Sequence, residues 1–68
     1  MTLVDELIKR QKADGLSDGQ FATKLGISRP LWWQVRSGHI LPSRLFLQAV
    51  TRAYPELEPE LLEEIRGR

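Results

Sequence analysis

Residues 16–38 read LSDGQFATKLGISRPLWWQVRSG, and the first half of this stretch carries the start and stop signals of a short helix. Ser17 followed three residues later by Gln20 is a capping-box pair, in which each side chain accepts a hydrogen bond from the other residue's backbone N–H. The pair predicts a helix over about 17–25. Gly26 then predicts a tight turn, because glycine adopts positive φ without steric cost.

The second half of the stretch predicts another helix, over about 28–37. Ser28 is a second N-cap residue, and Pro30 is tolerated in the first turn of a helix, where its missing N–H would have no intrahelical partner. The pair Ser37-Gly38 ends the segment.

Two adjacent tryptophans lie within this second helix, and they cannot share one environment. Neighbouring side chains on a helix point about 100° apart, so only one of the two rings can face the core. Trp32 and Val35 are three residues apart and define the inward side. Trp33 therefore lies on the outer side, where it is available to a partner.

Three further helices follow from apolar periodicity and stop signals. The first is capped by Thr2 and ends at Gly15, another lies between Ser43 and Pro55, and the last spans about 58–66. One face of the first helix carries Leu3, Val4, Leu7, Ile8 and Gln11, and one side of the last carries Leu61, Leu62 and Ile65. The apolar residues of the helix between Ser43 and Pro55 cover slightly more than half of its circumference, and they are Leu45, Phe46, Leu47, Ala49, Val50, Ala53 and Tyr54. No segment alternates apolar and polar residues as a strand would. The predicted fold class is all-α, a compact bundle of about five helices.

The composition describes one globular domain, 1–68, and excludes several classes of function. The chain has 68 residues, of which 41% are hydrophobic and 28% are charged, with one histidine and no cysteine. No apolar run approaches the roughly 18 residues of a membrane span, and a cysteine-free chain without a signal peptide fits a reducing cytoplasm. No nucleophile elbow or phosphate-binding glycine loop is present. We therefore expect no metal, no cofactor and no enzymatic activity.

Charge is distributed unevenly along the chain, although the net charge is only +1. Residues 1–14 are balanced, with three bases and three acids. Residues 15–54 carry five bases against Asp18 alone, and residues 55–68 carry five glutamates against two arginines. An anionic partner should therefore meet the middle of the chain, while the acidic tail should face elsewhere.

The spacing of small and core residues in the quoted stretch is specific for fold. The residues that set it are Ala22, Gly26, Trp32, Val35 and Gly38. With this pattern the chain resembles the helix–turn–helix of the phage-repressor family, of the lambda-repressor-like, Cro or XRE type, and the likeness continues into the fourth helix. The resemblance implies a DNA-binding domain whose third helix is a recognition helix in the major groove, usually within a dimer on a pseudo-palindromic site.

The resemblance also implies which side chains contact DNA. The expected base contacts are Arg29, Gln34, Trp33 and Pro30. Arginine suits guanine O6 and N7, and glutamine suits adenine N6 and N7. The expected phosphate contacts are Ser28, Lys24, Arg36, Ser37, His39 and Arg44, with backbone N–H groups at the starts of the second and third helices. The simpler alternatives are surface charges, helix caps and a partly exposed indole.

The chain departs from the family pattern in three respects. Asp18 stands where many relatives have a glutamine that binds phosphate, and a carboxylate there repels phosphate. Gln11 and Arg36 match a pair that is Arg and Glu in some relatives, so we expect Arg36 to lack an acid and to turn toward the DNA backbone. Ile40 and Leu41 replace a loop that is often basic.

The apolar residues of this loop and of the tail predict a homodimer interface. Its expected members are Ile40, Leu41, Leu57, Leu61, Leu62 and Ile65. Small domains often gain stability by association. The alternative is that Leu57, Leu61 and Ile65 cover the core of the monomer.

Two functions follow from these observations. The first is sequence-specific binding of double-stranded DNA by a small transcriptional repressor or regulator of phage or bacterial type, which acts by operator occupancy in the cytoplasm, at the nucleoid. The second is a protein-interaction module or antitoxin-like subunit on the same fold, which would use the apolar surface of Leu31, Trp33, Ile40 and Leu41.

Overall fold

A computed structural model describes residues 3–67, and all of its regular structure is helical. Its elements are α1 (Leu3–Ala13), α2 (Asp18–Leu25), α3 (Arg29–Arg36), α4 (Arg44–Ala53), a 3-10 turn (Pro55–Leu57) and α5 (Glu58–Arg66). The prediction of an all-α bundle of about five helices is thus confirmed for this part of the chain. The expected cap at Thr2 lies outside the described residues.

The predicted helix starts in the middle of the chain are confirmed at the level of individual hydrogen bonds. Ser17 Oγ accepts from the backbone N–H of Gln20 at 3.2 Å, and the Gln20 side chain accepts from the N–H of Ser17 at 2.9 Å. Gly26 ends α2 with φ of +79°, as the turn requires. Ser28 Oγ then accepts from the N–H of Leu31 at 3.2 Å and caps α3. Three residues therefore separate the two helices.

An aromatic cluster forms the centre of the core. The fully buried Trp32 packs against Phe21, with ring centroids 4.8 Å apart, and stacks on Phe46 at 6.2 Å. The other buried residues are Leu3, Leu7, Ala22, Leu25, Val35, Val50, Tyr54, Leu57 and Leu61. The helix α2 packs against α3 and α4, and α1 packs against α3. The core thus fixes α3 by its inner side alone.

The wide apolar arc of α4 is divided between core and surface. Phe46 and Val50 are buried, but Leu45 is 75% exposed. Leu45 directly precedes Phe46, so its side chain points about 100° away from the core direction. Part of the arc is therefore open to solvent.

The tail divides its apolar residues between core and surface. Leu57 and Leu61 are buried in the core of the monomer, so they are not accessible to a second copy and the prediction that they form a dimer interface is wrong. Leu62 and Ile65 remain 45% and 55% exposed. The alternative that Ile65 also covers the core is likewise wrong.

No helix between residues 3 and 67 has the length and apolar character that crossing a membrane demands.

Candidate nucleic-acid interface

Four side chains on the outer side of α3 lie together at the surface. Arg29, Pro30, Trp33 and Gln34 are all exposed and line one open depression of about 310 Å³. They are the four residues expected to contact bases. The structure therefore brings the predicted base-contacting set together, with a guanidinium, an amide and an indole in one place.

Trp33 is 44% exposed and is held by a neighbour rather than free to rotate in solvent. The imidazole of His39 stacks on the indole, with ring centroids 4.9 Å apart and the planes inclined by 27°. His39 lies just after Gly38, whose φ of +79° turns the chain back toward α3. The stack leaves part of the indole accessible beside Arg29 and Gln34.

Arg29 extends from α3 toward the first turn of α2. A Cβ built on Gly19 would lie 3.7 Å from Arg29 Cδ, in ordinary van der Waals contact. The arginine stem therefore passes over the glycine, near the start of α2, where the helix dipole favours anions.

A chain of side-chain hydrogen bonds behind this surface joins three helices. Trp32 Nε1 donates to Gln11 Oε1 at 3.0 Å, and Gln11 Nε2 donates to Asp18 Oδ1 at 2.9 Å. Arg36 completes the chain by donating to both carboxylate oxygens of Asp18, from Nε at 3.1 Å and from Nη2 at 2.8 Å. These hydrogen bonds link α1 and the start of α2 to two residues of α3, Trp32 and Arg36, which are one turn apart.

The expectation that Arg36 lacks an acid is therefore wrong, because Asp18 supplies one from α2. A bidentate arginine–carboxylate pair is geometrically specific. The Asp18 carboxylate is also compensated by this guanidinium, so its repulsion of a nearby phosphate is weaker than the sequence suggested. Hydrogen bonds from Arg36 first and Gln11 second hold the pKa of Asp18 below its ordinary value of 3.8.

We predict that Asp18→Asn lowers the free energy of unfolding by about 1 kcal/mol at neutral pH, since both charged groups are partly solvated. The pKa of Asp18 is lower in the folded state than in the unfolded state, so its contribution is present above the unfolded pKa. It is lost as pH falls below 3.8 and through the folded pKa. Urea denaturation of both proteins from neutral pH to acid measures the difference.

The expected result is a difference in the free energy of unfolding between the two proteins that disappears in acid. Glu63→Gln serves as the control for general acid destabilisation, because Glu63 is an exposed carboxylate on α5. If this difference in the free energy of unfolding is absent at neutral pH, or stays constant into acid, the role given to Asp18 is contradicted.

The remaining phosphate candidates are dispersed. Ser28 caps α3, Ser37 ends it at the exposed C-terminal side, and Arg44 is exposed in the first turn of α4. Lys24 Nζ lies 3.0 Å from Asp14 Oδ2 and 5.1 Å from the centre of the Tyr54 ring, and it does not line the depression on α3. Lys24 thus already has an acidic partner within the chain.

Sequence analysis missed three residues that position this surface. The sequence predicts Asp18 only as a charge that repels phosphate, gives Gln11 no hydrogen-bond partner, and assigns no role to Gly19. The one available signal was the inward direction of Gln11, since a polar side chain on a buried face needs partners.

No cluster of three or more potential metal ligands occurs among residues 3–67. Comparisons of the chain with protein-family models, with curated proteins and with solved structures found no match in any of the three.

Proposed function

We propose that this protein binds double-stranded DNA sequence-specifically through the outer side of α3, as a small transcriptional repressor or regulator that acts by operator occupancy at the nucleoid. The single observation that carries the proposal is the depression formed by Arg29, Pro30, Trp33 and Gln34 on one exposed helix. An α-helix fits the major groove, where these polar groups would meet base edges. On this proposal α2 and α3 are a lambda-repressor-like helix–turn–helix.

Each side chain in the depression has a distinct part in the proposed recognition. Arg29 would donate two hydrogen bonds to guanine, and Gln34 would bond the N6 and N7 edge of adenine. Trp33, stacked on His39, would contact a thymine methyl group or sugar edge. Backbone N–H groups at the starts of α2 and α3, together with Arg44, would hold phosphates.

The hydrogen-bond chain behind α3 supports this function through rigidity. Base readout requires the reading side chains to be held close to their productive positions. Trp32 anchors α3 in the core, and the Asp18–Arg36 pair ties its last turn to the start of α2. Arg36 is therefore proposed as a positioning residue and not primarily as a phosphate ligand.

A protein-interaction module is the second candidate, because large apolar groups lie at the surface. Trp33 and Ile40 are partly exposed and Leu41 is 75% exposed, while Leu31, two residues before Trp33, is half-buried. Trp33→Ala separates the two candidates. It should abolish or weaken DNA retardation if the first is right, and only protein association if the second is right.

We predict that affinity for duplex DNA falls steeply with salt. If a dimer neutralises about six phosphates, the logarithm of the association constant should fall against the logarithm of salt concentration with a slope near −5. Fluorescence anisotropy with a labelled duplex over a salt series measures the slope. Arg66→Ala, in the acidic helix α5, is the control and should leave the slope unchanged. Binding without salt dependence, or no binding at low salt, would refute the proposed function.

A further inference from the structure

A second surface feature, distinct from the depression on α3, is a groove between the α2–α3 turn and α4. Its volume is about 550 Å³. Its apolar lining is Leu25, Ile27, Leu31, Leu45, Ala49 and Ala53. Leu45 is the most accessible of these, at 75% exposure. The groove shares no lining residue with the depression that contains Arg29 and Trp33.

The rim of this groove is basic. Lys24 and Arg52 both line it, and none of the described lining residues is acidic. Lys24 already pairs with Asp14 at 3.0 Å, so the charge argument depends mainly on Arg52. Arg52 forms no ion pair within the part of the chain that the structure describes. An occupant that combines apolar side chains with carboxylates would therefore complement the groove.

The helix α5 has this combination on its outer side. Leu62 and Ile65 are exposed and three residues apart, so they lie on one face. Glu58 is one turn before Leu62 on the same face, and residues 55–67 carry five glutamates against one arginine. The buried Leu61 holds α5 against its own core, so a groove that receives this face belongs to another molecule.

We propose that the groove binds the outer face of α5 from a second copy of this chain, with Leu62 and Ile65 against Leu31 and Leu45. The glutamates of α5 then face Lys24 and Arg52. Two such contacts related by a twofold axis form a closed dimer in which each copy gives one helix and receives one. The interface needs no DNA, so it is tested separately from the proposed function.

The test is sedimentation equilibrium of the chain alone, with one variant on each side of the interface. Leu45→Asp and Ile65→Asp should each raise the dimer dissociation constant at least about tenfold. Leu41→Asp is the matched control, because Leu41 is also 75% exposed but does not line the groove. Circular dichroism of each variant checks that the helices remain folded.

The charge complementarity is tested on a single helix. Arg52→Glu should weaken the dimer, and Arg44→Glu should not, because Arg44 is exposed on the same helix outside the groove. Raising the salt concentration should reduce the difference between Arg52→Glu and the unsubstituted chain.

Mixing the two apolar variants distinguishes this interface from one in which α5 meets α5. The Ile65→Asp variant keeps an intact groove, and the Leu45→Asp variant keeps an intact α5. One copy of each can therefore form one unaltered contact, so the mixture should form more dimer than either variant alone. A monomer at concentrations of about 1 mM, dissociation by Leu41→Asp but not Leu45→Asp, or a mixture no more dimeric than its components would each overturn the proposal.

Discussion

Trp32→Ala is expected to unfold most of the protein. The indole is fully buried against Phe21 and Phe46, and removal of such a ring costs about 3–5 kcal/mol. The substitution also removes the N–H donor to Gln11. A domain of this size has a stability of roughly 5 kcal/mol, so little would remain. Urea denaturation followed by far-ultraviolet circular dichroism measures the loss.

The adjacent tryptophan provides the control. Trp33→Ala removes a half-exposed ring that stacks on His39, and it should cost less than about 1 kcal/mol. Trp32→Phe keeps most of the packing but leaves Gln11 without its donor, and should fall between the two. If Trp33→Ala destabilises the fold as strongly as Trp32→Ala, the division into an inner and an outer indole is incorrect.

The second large effect concerns base preference. Arg29→Ala should reduce discrimination at one guanine of the bound site by about 1–3 kcal/mol, or roughly 5- to 150-fold, because a bidentate contact is lost. Gln34→Ala should have a similar effect at an adenine. Competition binding with single-base variants of a duplex selected from a random pool measures both.

Loss of a phosphate contact should have a different signature. Arg44→Ala should weaken binding to all of these duplexes alike and make the salt slope shallower, since phosphates carry no sequence information. If Arg29→Ala changes neither affinity nor preference, the depression on α3 does not read bases. If Arg44→Ala changes preference at a single base, the two residues have been assigned the wrong roles.

Helix boundaries in this chain could be predicted because their determinants are local. Ser17, Gln20 and Ser28 act on backbone groups within three residues, and Gly26 acts through its own φ. The separation of the two tryptophans is also local, because it follows from the 100° step of a helix. The outer side of α3 was therefore predictable down to its individual members.

Contacts between helices could not be predicted in the same way. The Asp18–Arg36 pair joins residues 18 positions apart, and it forms only because α2 and α3 cross at the angle that the aromatic core imposes. In the sequence, Asp18 appears only as an isolated acid in a basic segment. Its pairing changes the electrostatics of the surface, and this pairing depends on the packing of two helices, which local sequence patterns do not give.

The periodicity of the sequence also does not predict which apolar residues of the tail are buried and which are exposed. Leu61 and Ile65 are four residues apart on one face of α5, yet Leu61 enters the core with Leu57 while Ile65, next to the end of the helix, stays exposed. A helical wheel drawn for α5 alone gives the apolar stripe but not how far along the helix the core extends.

The most direct test of base readout by α3 is a titration of ¹⁵N-labelled protein with the selected duplex, followed by amide chemical-shift changes. The largest changes should fall in residues 28–37 and in the first turn of α2, with the indole N–H of Trp33 shifting and that of Trp32 nearly unmoved. Changes confined to α5 or to the groove beside α4, with residues 28–37 unaffected, would contradict the account.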